Sequence, residues 1–368
     1  MLFDPNKPYD DLPLLPPTKD IESRQILKKC IDARTALAEL KQAGGLIPEQ
    51  SVLINTIPLL EAQMSSEIEN IVTTTDKLFK YAALDDEKAD PATKEILQYR
   101  QALYHGCQSI KKRPVSTAVA IEVCSQIRKT EVSIRGMPGT VLSNPLTQET
   151  IYTPPNGERV ILDKLSNWEQ YLNESISVDP LIRMAVMHYQ FEAIHPFADG
   201  NGRTGRLLNI LFLVQEGLLE TPILYLSKYI IDKRRDYYSN IRAVTERQEW
   251  EEWILYILDA VEQTAGWMSR KIRAIRELSE HTCEYVKKAA PKIYRRELVD
   301  IVFTQPYCRI KNVIDAKIAK RQTASVYLKK LVEIGVLDEM KEGRDRVFIH
   351  PKFLDLLKKD DNTFLRYE

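Results

Sequence analysis

His195-Pro-Phe-Ala-Asp-Gly-Asn-Gly-Arg-Thr-Gly-Arg206 decides how this 368-residue chain is read. This short run holds a titratable imidazole, a carboxylate, an asparagine between glycines and two arginines. Upstream, Asp179-Pro-Leu-Ile-Arg-Met-Ala-Val-Met-His-Tyr-Gln-Phe-Glu-Ala-Ile194 predicts a buried helix with Asp179 as N-cap and Pro180 in its first turn. Downstream, Leu207-Leu-Asn-Ile-Leu-Phe-Leu-Val-Gln-Glu216 predicts a second helix that closes near Gly217. The motif is therefore a tight helix-loop-helix corner, not a loose surface loop.

Gly200, Asn201 and Gly202 precede the second helix, where backbone N–H groups lack intrahelical acceptors and the dipole attracts anions. Arg203 and Arg206, three apart, share a helix face, and two guanidinium forks suit consecutive phosphates. Asp199 has no basic neighbour in the motif until Arg203, and a lone carboxylate beside a phosphate site suits Mg²⁺. His195 alone here has an ordinary pKa near neutrality, which fits a general base. Taken singly these signals are weak: most such histidines are structural, and most such arginine pairs are solvated or ion-paired. Gly200-x-Gly202-x-x-Gly205 also matches a dinucleotide fingerprint formally, but it follows a helix rather than the strand that motif needs.

The combination is specific. His195-x-Phe197-x-Asp199-Gly-Asn-Gly-Arg203-x-x-Arg206 resembles, without a departure, the signature of the Fic family of protein adenylyltransferases. The resemblance implies a helical Fic core with a short β-hairpin flap, and a reaction that uses ATP and Mg²⁺. His195 would then deprotonate a Ser, Thr or Tyr hydroxyl of a target protein, and Asp199 would bind Mg²⁺ between the α- and β-phosphates. Asn201 and the amides of Gly200 to Gly202 would hold the α-phosphate, Arg203 the β-phosphate and Arg206 the γ-phosphate. Thr204 and Gly205 complete the nucleotide-binding stretch.

Ser65-Ser-Glu-Ile-Glu69-Asn70 lies in a helical pattern from about Gln50 to Thr73. By itself it reads as a capping box, Ser66-x-x-Glu69, or a polar helix face. Beside the Fic signature it resembles the Ser/Thr-x-x-x-Glu-Gly/Asn inhibitory motif of the N-terminally inhibited class. That implies roles for Ser65, Glu69 and Asn70, with Glu69 pairing to Arg206 and displacing ATP from its productive pose.

Around 136–155, Gly, Pro and Asn punctuate two short β-prone pieces, Thr140 to Ser143 and Thr150 to Thr153. A plain connecting hairpin is one reading; the resemblance implies a flap on which Thr150, Ile151 and Tyr152 dock a target backbone by strand addition. Tyr237 and Tyr238 match the spacing of a tyrosine pair that the family sets against the nucleotide base, although paired helical tyrosines are usually core. Thr245 stands where some relatives have Asn.

From about Ala290 the pattern changes: helices over Tyr294 to Thr304, Arg309 to Ala319 and Gln322 to Ile334, then two strands within Val336 to Ile349 around Glu342-Gly-Arg. Three helices and a hairpin read as a winged helix, with Thr323 to Lys330 at the recognition-helix position. The stretch 291–368 holds 17 Lys+Arg against 12 Asp+Glu, a mild surplus that only suggests weak DNA contact. The expected organisation is a helical region 1–105 with the inhibitory motif at 65–70, a catalytic core 106–288 and a winged-helix domain 289–368.

Composition adds bounds. Net charge is 0, so nothing global draws the chain to nucleic acid or a membrane. Five scattered cysteines lack C-x-x-C spacing, which argues against a disulfide framework or zinc and for a cytoplasmic home. The first twenty residues, with five prolines and four acids, form an arm on the body or a flexible lead-in, and no secretory or spanning run is apparent. Self-modification and homodimerisation stay open. So do two alternatives: a winged-helix regulator whose core only senses ATP, and a Fic transferase with another nucleotide donor.

Overall fold

The computed structural model describes residues 3–47, 51–84, 88–143, 147–342 and 345–368. Gln50, residues 144–146 of the expected flap and the Gly343-Arg344 turn lie outside them. Helices dominate: α1 (Arg24–Gly45), α2 (Ser51–Ile68), α3 (Thr75–Leu84), α4 (Pro91–Ser109) and α5 (Thr117–Arg128) come first. A small antiparallel pair, β1 (Leu142–Ser143) and β2 (Thr150–Tyr152), follows, with Leu142 opposite Tyr152. Then come α6 (Glu158–Glu174), α7 (Pro180–Ile194), α8 (Asn201–Gln215), α9 (Leu226–Asp232), α10 (Arg234–Arg247) and the long α11 (Trp250–Ala289). The chain closes with α12 (Arg296–Phe303), β3 (Tyr307–Arg309), α13 (Ile310–Asp315), α14 (Arg321–Glu333), β4 (Asp338–Glu342), β5 (Asp345–Ile349) and α15 (Pro351–Lys358).

The core centres on α7 and α8. Asp179 caps α7 by accepting from Leu181 N–H, Pro180 fills the first turn, and every residue from Leu181 to Phe191 is buried. A helix apolar all round must be surrounded. α6 and α11 each send an indole onto it, with Trp168 Nε1 donating to Met187 O at 3.1 Å and Trp253 Nε1 to Ala185 O at 2.7 Å. The one cation in this buried run, Arg183, is met by Glu216 at 2.5 Å and by Leu172 O at 2.7 Å.

Two helix boundaries differ from expectation. α8 begins at Asn201, so Asn201 and Gly202, expected to precede the helix, form its first turn. α2 stops at Ile68 instead of running towards Thr73. There Asn70 takes φ 61°, Asn70 N–H donates to Glu67 O and Ile71 N–H to Ser66 O, both at 3.0 Å. That is a Schellman ending with Asn in the left-handed position. Ser66 is therefore in the last turn of a helix, and the capping-box reading fails.

At the C-terminal end β3, β5 and β4 form an antiparallel sheet in that order, with Tyr307 and Asp338 both opposite Ile349. β3 and α15 were not expected. α13 ends at Asp315, short of Ala319, and Lys317 beyond it takes φ 57°. The N-terminal arm is ordered: Tyr9 N–H donates to Thr153 O at 3.0 Å, and Lys164 Nζ and Gln190 Nε2 hold Leu12 O and Pro13 O. Among the described residues, no helix is long and apolar enough to cross a membrane.

Candidate active site

α7 ends at Ile194, and His195 leaves it in the left-handed region at φ 51° with its N–H on Phe191 O. Gly200, at φ 89°, turns the chain into α8, whose first internal bond is Thr204 N–H to Gly200 O at 3.0 Å. The amides of 201–203 are thus the orphan donors of a helix start. Asn201, although buried, spends its side chain on the loop itself, accepting from Phe197 N–H at 2.8 Å and donating to Phe197 O at 2.7 Å. It shapes the corner, and its amide group is not free for a phosphate.

Two cavities, of about 560 and 460 Å³, share Glu69, Leu142, His195 and Gly202 in their walls. Arg206, Tyr237, Tyr238 and Thr245 line the first, together with Ile151 and Tyr152 of β2. Asp199, Gly200, Asn201 and Arg203 line the second. His195 therefore stands where the two meet. Thr204, Gly205 and Thr150 line neither cavity. Gly205 serves packing, because a Cβ there would lie 2.5 Å from Glu192 Oε1.

Burial, and after it the charge of Arg135, push the His195 imidazole down to about 4, so at pH 7 it is neutral and able to accept a proton. The two arginines are buried, 3% and 2% exposed, and each faces a carboxylate from the N-terminal helices. Arg203 Nη1 donates to Glu95 Oε1 of α4 at 2.5 Å. Arg206 Nη2 donates to Glu69 Oε1 at 2.8 Å and to Ser65 O at 2.8 Å, and Arg206 Nε donates to Ser65 Oγ at 2.9 Å. Burial alone would raise the Glu69 carboxyl, but the charge and hydrogen bond of Arg206 outweigh it and hold Glu69 below its ordinary value. A Cβ at Gly202 would meet Glu69 Oε1 at 2.5 Å, so this carboxylate also covers the first turn of α8.

The expectation that Asp199 lacks a basic neighbour fails in three dimensions: Arg128, at the end of α5, forms an ion pair with it. No local spacing could reveal that contact. The tyrosines divide their tasks. Tyr237 is core, bonded to His188 Nε2 at 2.8 Å, while Tyr238 is half-exposed at its edge with ring centroids 5.2 Å apart. Thr245 bonds Tyr189 Oη at 3.0 Å. Sequence reasoning passed over Phe3 and Glu192, which also line the first cavity. Glu192, three residues before His195 in the last turn of α7, could have been found by that spacing; burial raises it to about 7.

Three family models match: "Fic/DOC family N-terminal" over residues 27–108, "Fic/DOC family" over 122–213, and "Protein adenylyltransferase SoFic-like, C-terminal domain" over 278–353.

The chain belongs to the Fic/DOC family.

A protein adenylyltransferase Fic of Drosophila virilis is 34% identical over 262 residues, 66% of this chain and 46% of the relative. A probable protein adenylyltransferase of Aquifex aeolicus is 29% identical over 177 residues, 46% of this chain and 52% of the relative. The chain spans between about a sixth and about half of the curated relatives it matches. The crystal structure of a Fic family protein from Desulfovibrio desulfuricans aligns over 91% of this chain and 98% of that one, at TM-score 0.56 and 18% identity, a likeness of fold. The mostly helical fold with a small hairpin is thus a Fic fold, and the corner at 195–206 lies within the residues that the Fic/DOC model matches.

Proposed function

We propose that this chain transfers AMP from ATP to a Ser, Thr or Tyr hydroxyl of a protein and is held largely inactive by Glu69. The adenylyltransferase names of its relatives support the reaction class. The observation that carries the regulated form is the Glu69–Arg206 pair, set against an intact anion cradle.

The orphan amides of 201–203 and Arg203 bind the phosphates. Arg206, once released from Glu69, binds the γ-phosphate. Neutral His195 takes the proton of the target hydroxyl as its oxygen attacks the α-phosphorus, the bond to the β-phosphate oxygen breaks, and pyrophosphate leaves. Asp199 fits a metal role, since its exposed carboxylate already attracts a cation, Arg128. Mg²⁺ held there would supply charge between the α- and β-phosphates. Tyr238, Tyr237 and Thr245 form the wall for the base, and Ile151 and Tyr152 the edge for the target. The protein does little covalent chemistry here; position and charge set the rate.

We read 289–368 as a winged helix whose α14 presents Arg321, Gln322, Thr323, Val326 and Lys329 to solvent. A gel shift lost in Lys329→Ala/Lys330→Ala supports DNA contact by that face. The five cysteines are all free, which supports the cytoplasmic reading. The deciding experiment is labelled-nucleotide transfer by Glu69→Gly with a panel of nucleoside triphosphates. Labelling from ATP but not from this variant with His195→Ala added supports the proposal; no labelling from any triphosphate refutes it.

A further inference from the structure

Arg135 precedes His195 by 60 residues and lies outside the signature, yet its buried side chain reaches the end of α7. Arg135 Nε donates to His195 O at 2.7 Å, and Nη2 donates to Pro155 O at 2.5 Å and to Ile194 O at 3.2 Å. Its backbone N–H donates to Pro196 O at 3.0 Å. Among the described residues no carboxylate forms an ion pair with it. A buried guanidinium without a direct ion-pair partner is costly. Here the last carbonyls of a helix, the negative end of its dipole, take that place.

The location gives this contact its meaning. His195 is a non-glycine residue at φ 51°, a sparsely populated conformation that persists only where surroundings over-determine it. The group that holds the His195 carbonyl also sets the direction of its Cα–Cβ bond, and so where the imidazole points. Pro155 belongs to the segment that leaves β2, and from β2 itself Tyr152 Oη donates to Ala193 O at 2.8 Å. The hairpin stem and the catalytic end of α7 are therefore joined twice.

We infer that Arg135 is a positioning residue of the transfer reaction: it locks His195 in its left-handed conformation and ties that conformation to the hairpin, so that docking a target and aiming the base are one event. This rests on the function proposed above.

The charge of Arg135 acts in the same direction. The groups that face His195 are Arg135 from the segment before the hairpin, Glu69 from the end of α2, Asp199 from the loop and the backbone of Glu192 on α7. Burial and Arg135 lower the imidazole pKa; the other three raise it. Arg135→Gln removes the cation and must raise it.

The test compares Arg135→Gln and Arg135→Lys, each in the Glu69→Gly background, by transfer kinetics, calorimetric ATP binding, thermal melting and ¹⁵N-imidazole NMR titration of His195. For Arg135→Gln, kcat falls by about 10²-fold, the effect of slight misplacement of a catalytic group. ATP Kd stays unchanged, and His195 titrates at higher pH. Arg135→Lys keeps His195 titrating low and recovers part of the rate. Full kcat with an unmoved His195 titration in Arg135→Gln overturns the inference. Parallel loss of melting temperature, ATP binding and rate, without rescue by Lys, overturns it too by marking a purely structural residue. If Glu69→Gly itself transfers nothing, the proposed function fails, and the His195 titration still judges Arg135.

Discussion

Arg206 and Glu69 stand 137 residues apart in sequence and 2.8 Å apart in the fold. With two further bonds to Ser65, the Nε and Nη2 donors of the guanidinium are engaged by the end of α2. A phosphate oxygen seeking Arg206 must displace a carboxylate that is already charged and already aligned. On the proposed function, the contact is a competitor for the γ-phosphate.

Glu69→Gly should raise AMP transfer by about 10²–10³-fold, the usual range for restoring one charged contact to a transferring group. ATP with Mg²⁺ should also raise the melting temperature of this variant more than that of the parent, because a ligand that binds the folded state stabilises it by mass action. Radiolabel transfer and a thermal-shift series read the two effects. Equal labelling by both proteins would remove the brake.

The pH dependence follows from the sign of the His195 shift. The proposed base acts unprotonated, and the His195 pKa lies below the ordinary value, at about 4. Transfer by Glu69→Gly should therefore survive acidification through pH 6.5 and decline only as pH approaches 4. An acid limb centred on 6.5 would contradict this. His195→Ala should lose about 10²–10⁴-fold at every pH while still binding ATP.

Asn70 holds the turn that aims Glu69. Asn70→Gly should keep the brake, since glycine accepts φ 61° without penalty. Asn70→Val should cost about 1–2 kcal/mol of local strain and raise basal transfer part of the way towards Glu69→Gly. Basal labelling rates of the two variants check the order.

Arg128 pairs with Asp199, the carboxylate proposed to hold Mg²⁺. Because the pair is exposed, its worth is about 0.5–1 kcal/mol. Arg128→Ala in the Glu69→Gly background should lower the half-saturating Mg²⁺ concentration by about two- to fivefold. A Mg²⁺ titration of transfer at saturating ATP measures it.

Gly106 lets α4 approach α8, for a Cβ there would sit 2.5 Å from Leu211 Cδ1. Gly106→Ala should destabilise the fold by about 1–3 kcal/mol through overpacking. Urea unfolding followed by circular dichroism gives the value.

Helix α7 and the start of α8 were legible because their signals are local. Asp179, Pro180 and the unbroken apolar run act within a turn or two of themselves, and a glycine-flanked asparagine before two arginines describes a helix mouth. The opening of α8 at Asn201 was placed just after Gly202, because its polar first turn does not follow the apolar period. The end of α2 was misplaced for a related reason: Asn70 stops the helix by its backbone angle, which hydrophobic spacing does not report.

The sequence by itself determined the chemical inventory: one imidazole, one carboxylate, two guanidinium forks and the helix start that presents them. Tertiary structure alone decided their partners. It set Glu95 on Arg203, Arg128 on Asp199 and Arg135 on the His195 carbonyl. These contacts join residues distant along the chain, and their energies exist only after packing has closed the intervening loops and excluded water. A charge shows its type in the sequence, but its partner is chosen by the fold that buries it.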